Sequence, residues 1–131
     1  MVPSCLNDDL LTLPLLQILL FSTTARMHSV PNHMRFYSAT KLAQKSILEG
    51  WRSELKEKGQ NNIRIAAISP GLVKTEAIKA ANPGGPDMSE MIYSMTPHLK
   101  TSDVTEAVLN VIKAKSYVEI NDIILRHVQE K

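Results

Sequence analysis

The sequence predicts an α/β chain organised around a parallel sheet. Three observations lead there. An apolar run ends at Phe21, a β-branched apolar run covers Ile63 to Ile68, and between them lies a long stretch whose apolar residues recur every three or four positions. Strands alternating with helices imply βαβ units joined by right-handed crossovers.

Leu15 to Phe21 (LLQILLF) runs into Ser22, Thr23 and Thr24, a pattern that suits a buried strand feeding a loop or a helix end; Pro14 favours the strand. Residues 25 to 35 carry two His, a Pro, an Asn and two Arg without periodicity and read as loop. From Ser38 to about Lys58 the pattern is helical. Ala39, Leu42, Ala43, Ile47, Leu48, Trp51 and Leu55 form an apolar side, and Lys45, Arg52, Lys56 and Glu57 the other. Gly59, followed by Gln60, Asn61 and Asn62, supplies the stop. Ile63 to Ile68 (IRIAAI) is nearly continuously apolar, as a parallel strand buried on both faces would be, and ends at Ser69, Pro70 and Gly71.

Ala77 to Lys100 reads as a surface excursion, with a Pro/Gly cluster from Asn82 to Pro86 and a short helix over Ser89 to Ser94. Thr101 or Ser102 is placed to cap a further helix, with Asp103 and Glu106 in its first turns and Val104, Ala107, Val108, Val111 and Ile112 as its apolar face. Tyr117 to Leu125 (YVEINDIIL) reads as a last strand interrupted by Asn121 and Asp122.

Composition narrows the function classes. Of 131 residues 44% are hydrophobic and 21% charged, which is the balance of a folded globular chain and not of a disordered one. The net charge of +2 comes from basic residues spread along the chain, so nucleic acid is not implied. One cysteine, Cys5, precludes an intrachain disulfide, and no Asn-x-Ser/Thr site occurs; a reducing, cytoplasmic setting is expected. The most membrane-like run, Leu10 to Phe21, is far shorter than the roughly 20 residues a spanning helix needs. It contains Pro14 and follows Asp8 and Asp9, so neither a span nor a secretory leader is expected. His28, His33, His98 and His127 lack ligand spacing, and no metal site is expected.

Tyr37 and Lys41 stand four residues apart at the start of the long helix, so their side chains share a face one turn apart. A tyrosine alone, with a pKa near ~10, is a poor general base at neutral pH, and a neighbouring ammonium favours its phenolate. The same spacing is also common in exposed helix pairs, so context decides. That context is FYSATK at Phe36 to Lys41, an amphipathic helix, a short apolar strand, and ISPGLVKTE at Ile68 to Glu76.

This string resembles the second half of the short-chain dehydrogenase/reductase signature, in which Tyr-x-x-x-Lys is followed about thirty residues later by a strand ending in Pro-Gly. The wording is most similar to the animal dehydrogenase/reductase family member 11 group and to the insect farnesol dehydrogenases, from about Ser22 to Arg126. The resemblance implies a partial Rossmann-like, doubly wound parallel sheet. Residues 22–131 would form the C-terminal part of the domain, after an atypical N-terminal segment at 1–21. It further implies that Tyr37 is the acid/base exchanging a proton with the substrate oxygen, and that Lys41 lowers its pKa and binds the nicotinamide ribose. A serine hydroxyl would hydrogen-bond the substrate oxygen, Ser22 or, as the alternative, Thr24. Pro70, Gly71, Val73 and Thr75 would surround the nicotinamide at the carboxyl edge of the sheet. The cofactor implied is NADP, or NAD, and the substrate a small hydrophobic alcohol or carbonyl compound, such as a farnesol-like, retinoid or steroid molecule. Met88, Met91 and Met95 would line a pliable substrate lid or simply pack.

The chain also departs from that pattern. Its glycines, Gly50, Gly59, Gly71, Gly84 and Gly85, form no T-G-x-x-x-G-x-G turn for a pyrophosphate, and Asn61-Asn62 is followed by Ile63 in place of Ala-Gly. Arg26 and Met27 stand where related sequences often carry Gly. Two functions therefore stay open: an oxidoreductase, and a truncated, catalytically inactive fragment or pseudoenzyme. The family is usually homo-oligomeric. Without its other central strands this chain is expected to be marginally stable or to self-associate.

Overall fold

The computed structural model describes residues 16–23, 32–81 and 83–130. Thr24, Arg26, Met27, most of the expected loop and the start of the apolar run (residues 10–15) lie outside the described residues. The elements in order are β1 (Leu16–Phe21), a 3-10 turn (Asn32–Met34), α1 (Arg35–Glu57), β2 (Ile63–Pro70), α2 (Ala77–Ala80), α3 (Ser89–Met95), α4 (Thr101–Lys113) and β3 (Asp122–Leu125).

The three strands form one sheet in the order β1-β2-β3, parallel throughout. Leu16 to Phe21 pair in register with Ile63 to Ile68, and Ala67 to Pro70 pair with Asp122 to Leu125. The central strand β2 is buried from Ile63 through Ser69, as its nearly continuous apolar run predicts, and Arg64 is enclosed with the apolar residues. One of its faces, Ile63, Ile65 and Ala67, packs against Leu48 and Leu55 of α1. The other, Ala66 and Ile68, meets Val111 of α4 with Val104 and Val108 beside it. Helices thus cover both faces of a parallel sheet, the α/β layering that the alternation of elements predicted. β2 runs two residues past Ile68 because its pairing with β3 continues to Pro70↔Leu125.

Helix α1 begins three residues before Ser38 and sits differently on the sheet from the expected orientation. Its buried residues are Ser38, Leu48, Arg52 and Leu55, whereas Leu42 and Ile47 are about half exposed, Ala39 and Ala43 are exposed and Phe36 is 83% exposed. Arg52, assigned to the solvent side, is in fact inside. Its Nε and Nη2 donate to the Ile65 carbonyl at 3.2 and 2.9 Å, and Nη2 also reaches the Asn121 carbonyl at 2.6 Å. The reason is that the apolar stripe is wider than one contact. Only the side that can also bring Arg52 to the strand carbonyls is turned inward, and a second apolar side faces out. Gly59, with φ +69, ends the helix as expected: its left-handed conformation lets Gln60 N–H reach the Leu55 carbonyl at 2.9 Å.

Two further expectations are corrected. Neither Thr101 nor Ser102 caps α4. Both lie inside the helix, and the Asp103 carboxylate accepts the Lys100 N–H at 2.8 Å from the third helical position. Asp103→Ala is expected to lower stability by about 1 kcal/mol in a urea titration, a loss that Asp103→Asn largely avoids. Ile112, placed on the apolar face, is 49% exposed. β3 covers only the last four residues of the expected strand, and Tyr117 is 79% exposed. The cause is Arg64, whose Nη1 donates to the carbonyls of Ala114, Lys115 and Val118 and gathers that backbone into a turn. Asp122 does not interrupt the strand but opens it. Its carboxylate pairs with Lys45 at 3.0 Å and accepts from Ser69 Oγ at 3.3 Å, tying α1 to both strands.

Candidate active site

The carboxyl end of β1 and the first turns of α1 converge. Tyr37 lies in the first turn of α1, 43% exposed, and Lys41 follows one turn later, so helical geometry alone stacks them. Lys41 Nζ stands 5.7 Å from the centre of the Tyr37 ring and donates to the Phe21 carbonyl at 3.4 Å, at the last residue of β1. The next residue is Ser22. Its backbone N–H donates to the Ile68 carbonyl at 2.8 Å, while its buried Oγ has no hydrogen-bond partner among the described residues. Buried hydroxyls are nearly always paired, so an orphan one residue beyond the Phe21 carbonyl that Lys41 contacts is a candidate ligand contact. Thr24 cannot be compared with it, since it lies outside the described residues.

Pro70 ends β2 at the same carboxyl edge of the sheet. Gly71 follows, with its N–H donating to the Leu125 carbonyl at 2.8 Å. A Cβ at this position would overlap the carboxylate of Glu130, so any larger residue would require that flexible side chain to move aside. Arg126 Nε holds that carboxylate at 3.6 Å. From Leu72 to Lys74 the chain pairs with Leu99: Lys74 N–H donates to the Leu99 carbonyl at 2.9 Å, and Leu99 N–H to that of Leu72 at 2.7 Å. Val73 bridges Leu99 in parallel fashion. Thr75 is exposed, and its Oγ1 accepts the Ala77 N–H at 3.2 Å.

The structure therefore brings Tyr37 and Lys41 to Phe21 at the end of β1, with Ser22 the next residue along the chain, and strings Pro70, Gly71, Val73 and Thr75 along the segment that leaves β2. Met88, Met91 and Met95 are all substantially exposed, on and beside α3. Two residues that the sequence reading passed over also belong to this edge. One is Glu130, for which a one-dimensional pattern offers no signal because its contact with Gly71 is made by the folded-back tail. The other is Tyr93, the one buried residue of α3. An aromatic residue within a polar, Met-rich excursion could have flagged it. At the opposite end of β2 a cleft of about 260 Å³ is lined by Arg52, Lys56, Gln60, Arg64, Tyr117 and Glu119, far from the Tyr37 and Lys41 pair along the sheet. Among the described residues no helix is long and apolar enough to cross a membrane.

Comparison with known proteins agrees with the fold and gives the family. A model of the short chain dehydrogenase family matches residues 18–85. Human dehydrogenase/reductase SDR family member 11 is 38% identical over 95 residues, which cover 72% of this chain and 36% of that protein. The chain thus spans little more than a third of that relative's length. Among solved structures, a serine dehydrogenase complexed with NADP+ superposes with a TM-score of 0.68 at 26% identity, over 83% of this chain and 43% of that one. An alcohol dehydrogenase from the archaeon Thermococcus sibiricus, complexed with 5-hydroxy-NADP, gives 0.65 at 22% identity over 88% and 43%. The latter likeness bears on the fold alone.

Proposed function

Because the chain belongs to the short chain dehydrogenase family, we propose that it carries the proton-transfer side of an NAD(P)-dependent oxidoreductase site, acting on a small hydrophobic alcohol or carbonyl compound. The observation that carries the reading is the meeting of Lys41 with both the Tyr37 ring and the Phe21 carbonyl, next to the unpartnered Ser22 hydroxyl. Tyr37 acts as the acid/base, passing the proton between its hydroxyl and the substrate oxygen. Lys41 steadies the phenolate, and Ser22 Oγ donates to the same substrate oxygen as charge develops on it.

The bound dinucleotide supplies the hydride acceptor or donor. Pro70, Gly71, Val73, Thr75, Tyr37 and Lys41 would hold its nicotinamide end. The fit is partial. An orphaned hydroxyl and a backbone bared at Gly71 suit that end, although one side of Gly71 is taken by Glu130. The chain has no glycine-rich turn for the pyrophosphate. NADP, which the serine dehydrogenase structure carries as NADP+, is the cofactor this reading takes, with NAD the alternative. Exposed Met91 and Met95 favour an apolar substrate of the farnesol, retinoid or steroid kind. The same proposal treats residues 22–131 as the C-terminal part of the family domain, with 1–21 an atypical segment. It places the protein in the cytoplasm and has it self-associate through the outward apolar side of α1.

The second reading, a catalytically inactive fragment or pseudoenzyme, is favoured by the 36% of the human relative's length that this chain spans. Titration of the purified chain with NADPH, followed by nicotinamide fluorescence, separates the two. Binding in the micromolar to low millimolar range is expected. No change at millimolar NADPH would leave the inactive reading standing.

A further inference from the structure

We infer that Tyr93 is the positioning residue for the nicotinamide-side segment Val73 to Thr75, an inference that rests on the oxidoreductase reading. The Tyr93 side chain rises from α3 into the molecule and is 6% exposed. Its hydroxyl meets three backbone groups of one short stretch. The oxygen accepts the Thr75 N–H at 3.1 Å, and the single hydroxyl proton is shared between the carbonyls of Thr75 at 2.8 Å and Val73 at 3.2 Å. One side-chain atom thus fixes both ends of the Val73–Thr75 stretch.

The surroundings lock the ring in turn. Lys74 Nζ lies over one face at 5.8 Å, and the His98 ring stands edge-on at a centre distance of 5.3 Å. The Leu99 backbone pairs with the same segment from the side. A loop after a strand ordinarily keeps considerable freedom. Here a buried phenol removes it, and does so at the two residues, Val73 and Thr75, that would grip the nicotinamide by backbone and hydroxyl. The Leu99 pairing holds Val73 and its neighbours from one side, but Thr75 belongs to no strand or helix, so without the clamp that end of the segment would have to be ordered by the ligand, at a cost in affinity. Tyr93 touches no reacting atom. It acts through the loop.

Tyr93→Phe in the full chain tests this, since it keeps the ring and removes only the oxygen. In the ligand-free protein, amide exchange at Thr75 should accelerate at least several-fold while that of Ile65 and Ile68 stays unchanged. The dissociation constants of NADPH and of reduced nicotinamide mononucleotide should both rise by roughly 3- to 10-fold, the effect of one lost hydrogen-bonding group. A merely structural tyrosine would speed exchange at the core amides as well, and that result would overturn the inference. So would unchanged Thr75 exchange, or unchanged affinity in a variant whose parent binds NADPH. A parent chain that binds neither nucleotide would instead overturn the oxidoreductase reading, and this inference with it. Should Tyr93→Phe fail to fold, His98→Ala, which removes the ring that stands edge-on against Tyr93 and leaves every nicotinamide-side residue in place, replaces it with the same exchange and affinity readouts.

Discussion

Tyr37→Phe is expected to lower kcat/KM for an apolar alcohol by on the order of 10²- to 10⁴-fold, the range that a positioned acid/base contributes. The substitution is unusually clean here. Tyr37 is 43% exposed in the first turn of α1 and the contact described for its side chain is made by the ring, with Lys41 at 5.7 Å. Phenylalanine keeps that ring and the cation above it, so helix and stacking survive and the proton does not. NADPH affinity should therefore change far less than turnover. Steady-state kinetics beside a direct binding titration would show the split. Turnover retained within a few-fold of the parent would remove Tyr37 from the chemistry.

Arg52→Met is expected to destabilise the fold by about 3 kcal/mol, roughly a hundredfold in the folding equilibrium, because hydrogen bonds from a charged donor are worth about 1.5–3 kcal/mol each and the Ile65 carbonyl left behind lies on a buried strand residue. The guanidinium holds Ile65 twice and Asn121 once, and is itself 6% exposed. Its pairing with Glu49, a carboxylate 56% exposed, adds little. Methionine replaces the stem and deletes the fork, so packing is nearly held constant. Lysine should not rescue the loss, since one ammonium lacks the planar fork that reaches both carbonyls. A midpoint in urea within error of the parent would show that the strand carbonyls do not depend on Arg52.

What could be read from the residues alone follows the strength of each periodic signal. α1 and β2 are long or continuous enough that their patterns survive any tertiary context, and Gly59 marks its turn because few other residues accept φ +69. Tyr37 and Lys41 are equally legible, since helix geometry by itself places them together. Arg52 is not legible. A charged residue reads as solvent-facing until a strand carbonyl is known to lie opposite it. The turn after α4 is hidden for the same kind of reason, because Tyr117 to Glu119 look strand-forming and only the reach of Arg64 from β2 folds them otherwise. Tyr93 and Glu130 depend wholly on which distant backbone they meet.

The all-parallel order β1-β2-β3 also has a consequence in time. Neither strand pairing can be made by a hairpin. Gln17 lies 47 residues before Arg64, its partner in the ladder, and Ser69 lies 53 residues before the Asp122 carboxylate it contacts. Each closure must overcome the entropy of a long loop before any sheet hydrogen bond rewards it. A chain of such distant contacts folds slowly for its size, on milliseconds or longer, with α1 free to form first and offer Leu48 and Leu55 as the surface on which β2 condenses. Until β2 is seated, its run Ile63 to Ile68 is an exposed apolar strand, so the interval of greatest risk for aggregation precedes the sheet itself.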